Sequence, residues 1–414
     1  MRAPRMRESG MCMDREKVYG LALQGGGAKG AVHMGAVKAI LERGYRIGAV
    51  AGTSIGALNG AAIAQGDFEK GYELWRTMSN AVVFAIEDTY YRRLRSLKID
   101  GEMVRGIAEG IREVIGNKGV DTSRIRELID SVINEDKLRA SPVDFGLVTV
   151  SLSDFKPLEL FKEDIPKGQM TDYLLSSAHV PGLRVDTADK KKYLDGGFYN
   201  NCPINLLLKK GYKDIIVVHT YGPGVVWPVR RRDVNIIDIT PSEDVGRVMD
   251  FDNEQINYNL KLGYYDACRV LDKLAGRRYY IRIGDRRAFM EKLLSIPGLV
   301  KLQLAELYGQ RGADPDRALF DDVLPRAASA AGLAGKPGYQ EIVVALLETL
   351  AREKQLERFN IYSLEEFVRL TGGLDENTQP LFDPVAMIKE SIGKMGLVRK
   401  TAILLGRALV SGKT

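Results

Sequence analysis

A serine set between two glycines, in the order Gly52-Thr53-Ser54-Ile55-Gly56, raises the question of nucleophilic chemistry. A serine hydroxyl attacks an acyl carbon only when it is held exposed, has a base within hydrogen-bond reach, and faces donors that stabilise an oxyanion. G-x-S-x-G meets the first need where a strand turns sharply into a helix. Gly52 and Gly56 bring no side-chain bulk to the turn, and the helix N-terminus lies beneath the hydroxyl. Alone, the pentapeptide fits an ordinary glycine-rich turn of an α/β protein equally well.

The donors have a candidate source one unit earlier, in "QGGGAKG" from Gln24 to Gly30. Gly25, Gly26 and Gly27 leave backbone N–H groups bare at the start of a helix, where a developing negative charge is welcome. A rival reading uses the same residues, because Gly25, Gly27 and Gly30 spell the G-x-G-x-x-G of a dinucleotide site. That reading needs an acidic residue closing the second strand to bind a ribose hydroxyl. Here the strand closes in Gly52, Thr53 and Ser54.

The base is harder to find. Of the three histidines, His33 lies inside the first predicted helix, His179 precedes Pro181 in a loop, and His219 ends a strand. None has the neighbourhood of a Ser-His-Asp triad, and each reads as a structural residue. In "YLDGGFYNNCP", Asp195 ends a predicted strand ahead of Gly196 and Gly197, which presents a carboxylate on a tight backbone. D-G-G is also an ordinary turn. A carboxylate partly removed from water has a raised pKa and can act as a general base.

These groups must be positioned by regular elements. "VYGLALQ" is a short apolar strand, followed by Val32, Ala36, Val37, Ile40 and Leu41 at helical spacing, with Gly44 as the stop. "YRIGAVAG" and "SIGALNGAAIAQG" repeat strand and helix, and this alternation predicts a parallel sheet covered by helices. Further strands are expected at "DFGLVTVSL", "KKYLDGG", "DIIVVHT" and "NIIDITP", with "RRYYIRI" as a last one. Tyr72 to Asp136 reads as mainly helical, and a helix runs through "NLKLGYYDACRVLDKL". From Arg286 the pattern becomes helices broken by glycine and proline, with Ser363 and Glu366 as a capping box.

Taken together, "GGGAKG", "GTSIG" and "DGG" occur in the order of three motifs of the patatin-like phospholipases, and the chain resembles that family, its bacterial members in particular. "SSAHVPGLRV" and "DGGFYNNCPI" are similar to the family's surroundings of these motifs, and the resemblance extends from Tyr19 to Ile283. It implies a three-layer α/β/α fold related to the α/β hydrolases, with a mainly parallel sheet, and a serine–aspartate dyad in place of a triad. By matching position, Ser54 is the nucleophile, Asp195 its base, and the N–H groups of Gly26, Gly27 and Ala28 the oxyanion hole. Lys29 fills the family's basic position. The implied chemistry is hydrolysis of a fatty-acyl ester of a phospholipid or other lipid through an acyl-enzyme, with no metal or cofactor. A soluble esterase or thioesterase, and a non-catalytic scaffold or nucleotide binder, stand as alternatives.

Composition bounds the rest. The 414 residues are 45% hydrophobic and 28% charged, enough for a sizeable core. The expected division is a tail over 1–16, an α/β catalytic domain over 17–285, and a helical domain or lid over 286–414. A net charge of +6 with interspersed signs gives nucleic-acid binding little support. Cys12, Cys202 and Cys268 make neither a disulfide framework nor a zinc pattern, and the basic N-terminus lacks the apolar run of a signal peptide, so a cytoplasmic protein is expected. The uncharged window Ile47 to Gly66 is long enough to span a bilayer but too rich in glycine and polar residues.

A lipid substrate implies contact with a membrane surface, possible at its inner face through "RRLRSLK" from Arg92, "KKK" from Lys190 or "RRR" from Arg230. The C-terminal run from Val385 to Thr414, apolar and basic, suits an anionic bilayer or a helix packed on its own domain.

Overall fold

In a computed structural model, residues 16–84, 120–121, 123–179, 183–184, 192–310, 312, 314–372 and 394–411 are described. The expected tail as far as residue 15, the basic stretch from Arg92, and Lys190 and Lys191 lie outside the described residues. The chain divides into two compact units, Met1–Leu271 and Asp272–Thr414.

In the first unit the strands are β1 (Val18–Leu23), β2 (Arg46–Thr53), β3 (Val120–Asp121), β4 (Asp144–Ser151), β5 (Lys156–Phe161), β6 (Leu183–Arg184), β7 (Tyr193–Asp195), β8 (Asp214–Val218) and β9 (Asn235–Ile239). The main sheet runs β5-β4-β2-β1-β8-β9, with β7 also paired to β4, and β3 and β6 form a separate short ladder. The pairs β4-β2, β2-β1, β1-β8 and β8-β9 are parallel. Helix α1 (Ala31–Glu42) connects β1 to β2 and helix α2 (Ile55–Ala64) follows β2, so the expected mainly parallel sheet with crossover helices is what forms. The antiparallel strands β5 and β7 are added at β4.

Alternation along the strands separates the two faces. On β1, Ala22 packs with Cys202, Ile204 and Leu207 around the helix Ile204–Lys209. Leu23 points the other way, toward α2, as do Val50 of β2 and Phe145 of β4 at Gly60. The buried strand residues are small or branched, as a sheet covered on both faces requires.

The register around β4 has a consequence for Ser54. Thr53 of β2 pairs with Val148, and Asp195 of β7 pairs with the next residue, Thr149. β7 thus takes up the edge of β4 where β2 leaves off, which brings the turn after β2 and the turn after β7 together.

The second unit is mainly helical, with helices Arg286–Leu294, Gly298–Leu307, Tyr339–Glu353, Leu364–Gly372 and Lys394–Ser411 among its elements. Its strand pair, β10 (Tyr280–Arg282) and β11 (Ile361–Ser363), is parallel. Its core includes Phe289, Leu304, Leu347 and Phe367. Ser363 Oγ accepts the Glu366 N–H at 3.1 Å, the first half of the expected capping box. Of the two readings of the C-terminal run, its described part takes the packed-helix one. Val398, Ala402, Leu405 and Ala408 of Lys394–Ser411 are buried within this core, because covering that apolar face removes it from water. Among the described residues no helix is long and apolar enough to cross a membrane.

Candidate active site

Ser54 sits between β2 and α2 with φ 56° and ψ −127°, a backbone conformation that costs a non-glycine residue free energy and persists only where its surroundings enforce it. The surroundings here are backbone. A Cβ on Gly52 would lie 2.1 Å from the Gly56 carbonyl oxygen, and one on Gly56 would lie 2.3 Å from that of Leu23. The glycines of G-x-S-x-G are thus required by close approach. The Ser54 N–H donates to Ser177 Oγ at 3.0 Å, and Ser177 Oγ donates in turn to the Val148 carbonyl at 2.7 Å. Behind the serine, ten residues of α2 direct the positive end of their dipole at the turn.

Asp195 ends β7 and is buried, with its backbone N–H donating to the His179 carbonyl at 2.8 Å. Burial pushes its carboxyl above the usual aspartate range. Three groups oppose that rise: the Ser54 hydroxyl, the Gly197 N–H, which donates to Asp195 Oδ1 at 2.7 Å, and the nearby imidazole of His179. The Ser54 hydroxyl and the Asp195 carboxyl, from distant stretches of sequence, are thus brought within interacting reach of each other. An alkoxide-forming serine against a carboxylate of raised basicity is an arrangement suited to proton abstraction. Gly196 is tightly held as well, since a Cβ there would fall 2.1 Å from the Val148 carbonyl oxygen.

The glycine loop abuts the same point. A Cβ on Gly25 would stand 3.2 Å from Ser54 Cβ, and Gly30 packs on Ile55. Gly27 has φ +57°, and the Gly26 and Gly27 N–H groups are given no acceptor among the described residues. For Ala28 the expectation is corrected, because its N–H already donates to the Val248 carbonyl at 2.7 Å. Lys29 is half-buried within the short 3-10 turn Gly27–Gly30.

Several supporting residues carry no motif. Asn201 joins the loops: its carbonyl accepts the Gly25 N–H at 3.0 Å, and its Nδ2 donates to the carbonyls of Gly25, Gly222 and Pro223 at 3.3, 3.2 and 3.0 Å. Gln24 Oε1 accepts the N–H groups of Thr220 and Tyr221 at 3.0 and 3.2 Å. The only sequence signal for Asn201 was its place in "DGGFYNNCPI". Of the histidines, His33 is buried against Asn59, at 3.3 Å, and burial pushes its pKa down to about 3. His219 faces Asp238 at 2.7 Å. Among the described residues, no group of three or more His, Cys, Asp or Glu side chains is placed to hold a metal ion.

Comparison with known proteins relates the chain to a family. Human patatin-like phospholipase domain-containing protein 6 is 27% identical over 276 residues, which span 63% of this chain and 18% of that protein. The lysophospholipase NTE1 of Mycosarcoma maydis is 27% identical over 205 residues, 48% of this chain and 9% of the relative. The chain thus covers less than a fifth of the length of these curated relatives. The crystal structure of VipD from Legionella pneumophila aligns over 95% of this chain and 91% of its own, at 15% identity and a TM-score of 0.38. Residues 21–208, from β1 through the glycine loop, the Ser54 turn and Asp195 to the helix Ile204–Lys209, match the family model described as patatin-like phospholipase. The first unit thus contains a patatin-like phospholipase domain over residues 21–208.

Proposed function

We propose that the chain is a lipid acyl hydrolase, of phospholipase A or lysophospholipase type, working through a Ser54–Asp195 dyad. The observation that carries this reading is a backbone-strained serine whose hydroxyl acts on the carboxyl of a buried aspartate of raised pKa. Asp195 takes the proton as Ser54 Oγ attacks the ester carbonyl. The Gly26 and Gly27 N–H groups and the N-terminus of α2 stabilise the tetrahedral oxyanion, whose collapse expels the alcohol as Asp195 returns the proton to the leaving oxygen. Water, deprotonated by the same carboxylate, then attacks the acyl-Ser54 ester and releases the fatty acid.

The names of the relatives, a lysophospholipase among them, support a lipid ester as substrate. The reading includes a cytoplasmic protein acting at the inner face of the membrane, consistent with Cys202 and Cys268 being buried free thiols. The test is release of fatty acid from lysophospholipid micelles and from a short-chain soluble ester, for the parent protein and Ser54→Ala. Both activities are expected to fall by roughly a thousandfold or more in the variant. Undiminished turnover by Ser54→Ala overturns the proposal, and turnover of the soluble ester alone moves the reading to a small-substrate esterase.

A further inference from the structure

The turn that carries Asp195 also carries an apolar surface the mechanism does not use. Phe198, Tyr221, Val225, Val226 and Trp227 are between 45% and 59% exposed, and all lie on two segments that are laced together. The Val225 N–H donates to the Gly197 carbonyl at 2.9 Å, and the Asn201 N–H donates to the Val225 carbonyl at 2.5 Å. Trp227 Nε1 donates to the Tyr199 carbonyl at 2.7 Å, with the two rings 5.8 Å apart. Backbone and indole N–H are thus satisfied inside the loop while the apolar parts of the side chains stay in water.

A soluble surface gains nothing from that arrangement, and grouped apolar side chains in water mark a contact site. The loop continues into Arg230, Arg231 and Arg232, all exposed. Arg231 pairs with Asp233 at 2.7 Å, so the segment keeps a positive excess beside its apolar side chains. Tryptophan and aliphatic side chains next to cations match the boundary of an anionic bilayer, where the rings enter the headgroup layer and the guanidinium groups meet lipid phosphates.

We propose that Tyr221–Arg232, with Phe198, is the segment by which the protein docks on anionic phospholipid bilayers. The inference deepens the lipid hydrolase reading and rests on it. Because Val225 is bonded to Gly197, two residues from Asp195, docking sets the catalytic turn at the bilayer surface. The alternative at the C-terminus is weaker over its described part, since the apolar face of Lys394–Ser411 is buried.

The test uses the full chain carrying Ser54→Ala, so that vesicles stay intact. Co-sedimentation is measured with vesicles of phosphatidylcholine alone and with phosphatidylglycerol added. Binding is expected to the anionic vesicles, to weaken with salt, to fall about tenfold on adding Val226→Asp, and to fall also in Arg230→Gln/Arg232→Gln. Because Trp227 is bonded to Tyr199, Trp227→Phe serves as a second, gentler variant with a smaller loss.

Val226→Asp in the otherwise parental chain should hydrolyse the soluble ester at the parental rate, which separates docking from catalysis. Equal vesicle binding by the Val226→Asp and parental sequences overturns the proposal, as does failure of the Ser54→Ala chain to bind anionic vesicles. Self-association that Val226→Asp abolishes while vesicle binding is unaltered would assign the surface to a second copy of the chain instead. If vesicle binding behaves as expected and the soluble ester is not hydrolysed, docking stands and the catalytic reading fails.

Discussion

The turn bearing Ser54 and the turn bearing Asp195 are built in opposite ways. The first is fixed mainly at short range: Gly52 touches Gly56, and Gly56 touches the strand next door at Leu23. The second is held by remote segments, since Asp195 leans on Thr149 of β4, His179 after the helix Met170–Ser177, and the loop that reaches Gly197 through Val225. A strained serine needs a rigid seat that nothing distant can disturb. A base with a tuned pKa needs an environment, and environments are assembled from many parts of a chain.

The comparison can be broken first at the elbow. Gly56→Ala places a Cβ against the Leu23 carbonyl oxygen, a backbone atom that cannot move without parting β1 from β2. The expected loss is about 3 kcal/mol or more of stability, or failure to fold, read by urea denaturation. A well-folded Gly56→Ala protein with the parental midpoint would show the turn to be loose.

A smaller effect sharpens the same point. Ser54→Gly relieves the strain at φ 56° and Ser54→Ala does not, so the glycine variant should be the more stable of the two by about 1 kcal/mol, even though glycine elsewhere is usually the less stable choice. Equal stabilities would mean that the serine seat is unstrained.

The smallest expected effect probes the base. His179 helps hold the Asp195 carboxyl down against burial, so His179→Ala should raise the Asp195 pKa. In the proposed mechanism activity needs the carboxylate, hence the acid limb of the pH–rate profile should move to higher pH while the plateau changes little. A limb that stays in place removes His179 from the environment of the base.

This contrast also explains what could be read from the chain. The elbow and the glycine loop were legible because their requirement is local, and a Cβ forbidden by a neighbouring backbone leaves glycine at a fixed spacing. Strand alternation and helical spacing likewise disclosed the parallel core of the sheet. What could not be read depends on tertiary contact. Val248 takes the Ala28 N–H, which narrows the expected oxyanion donors to Gly26 and Gly27, and no local pattern announces it. No sequence pattern makes a histidine a triad partner, yet His179 acts on the carboxylate of Asp195 from its side. The antiparallel pairing of β7 beside Thr149 brings Asp195 to Ser54, and a three-residue strand has too little pattern to declare its register. The apolar face of Lys394–Ser411 looked suited to lipid or core alike, and only its burial decides between them.

The central claim is that Ser54 is a nucleophile made reactive by Asp195. Its most direct test is the rate of covalent labelling by a fluorophosphonate, followed by intact mass and by mapping of the modified peptide, as a function of pH. One adduct on Ser54 is predicted, with a rate that rises with pH through the raised pKa of Asp195 and falls by roughly a hundredfold or more in a folded Asp195→Asn protein. Labelling at another residue, or undiminished labelling of Ser54 in Asp195→Asn, would contradict the account.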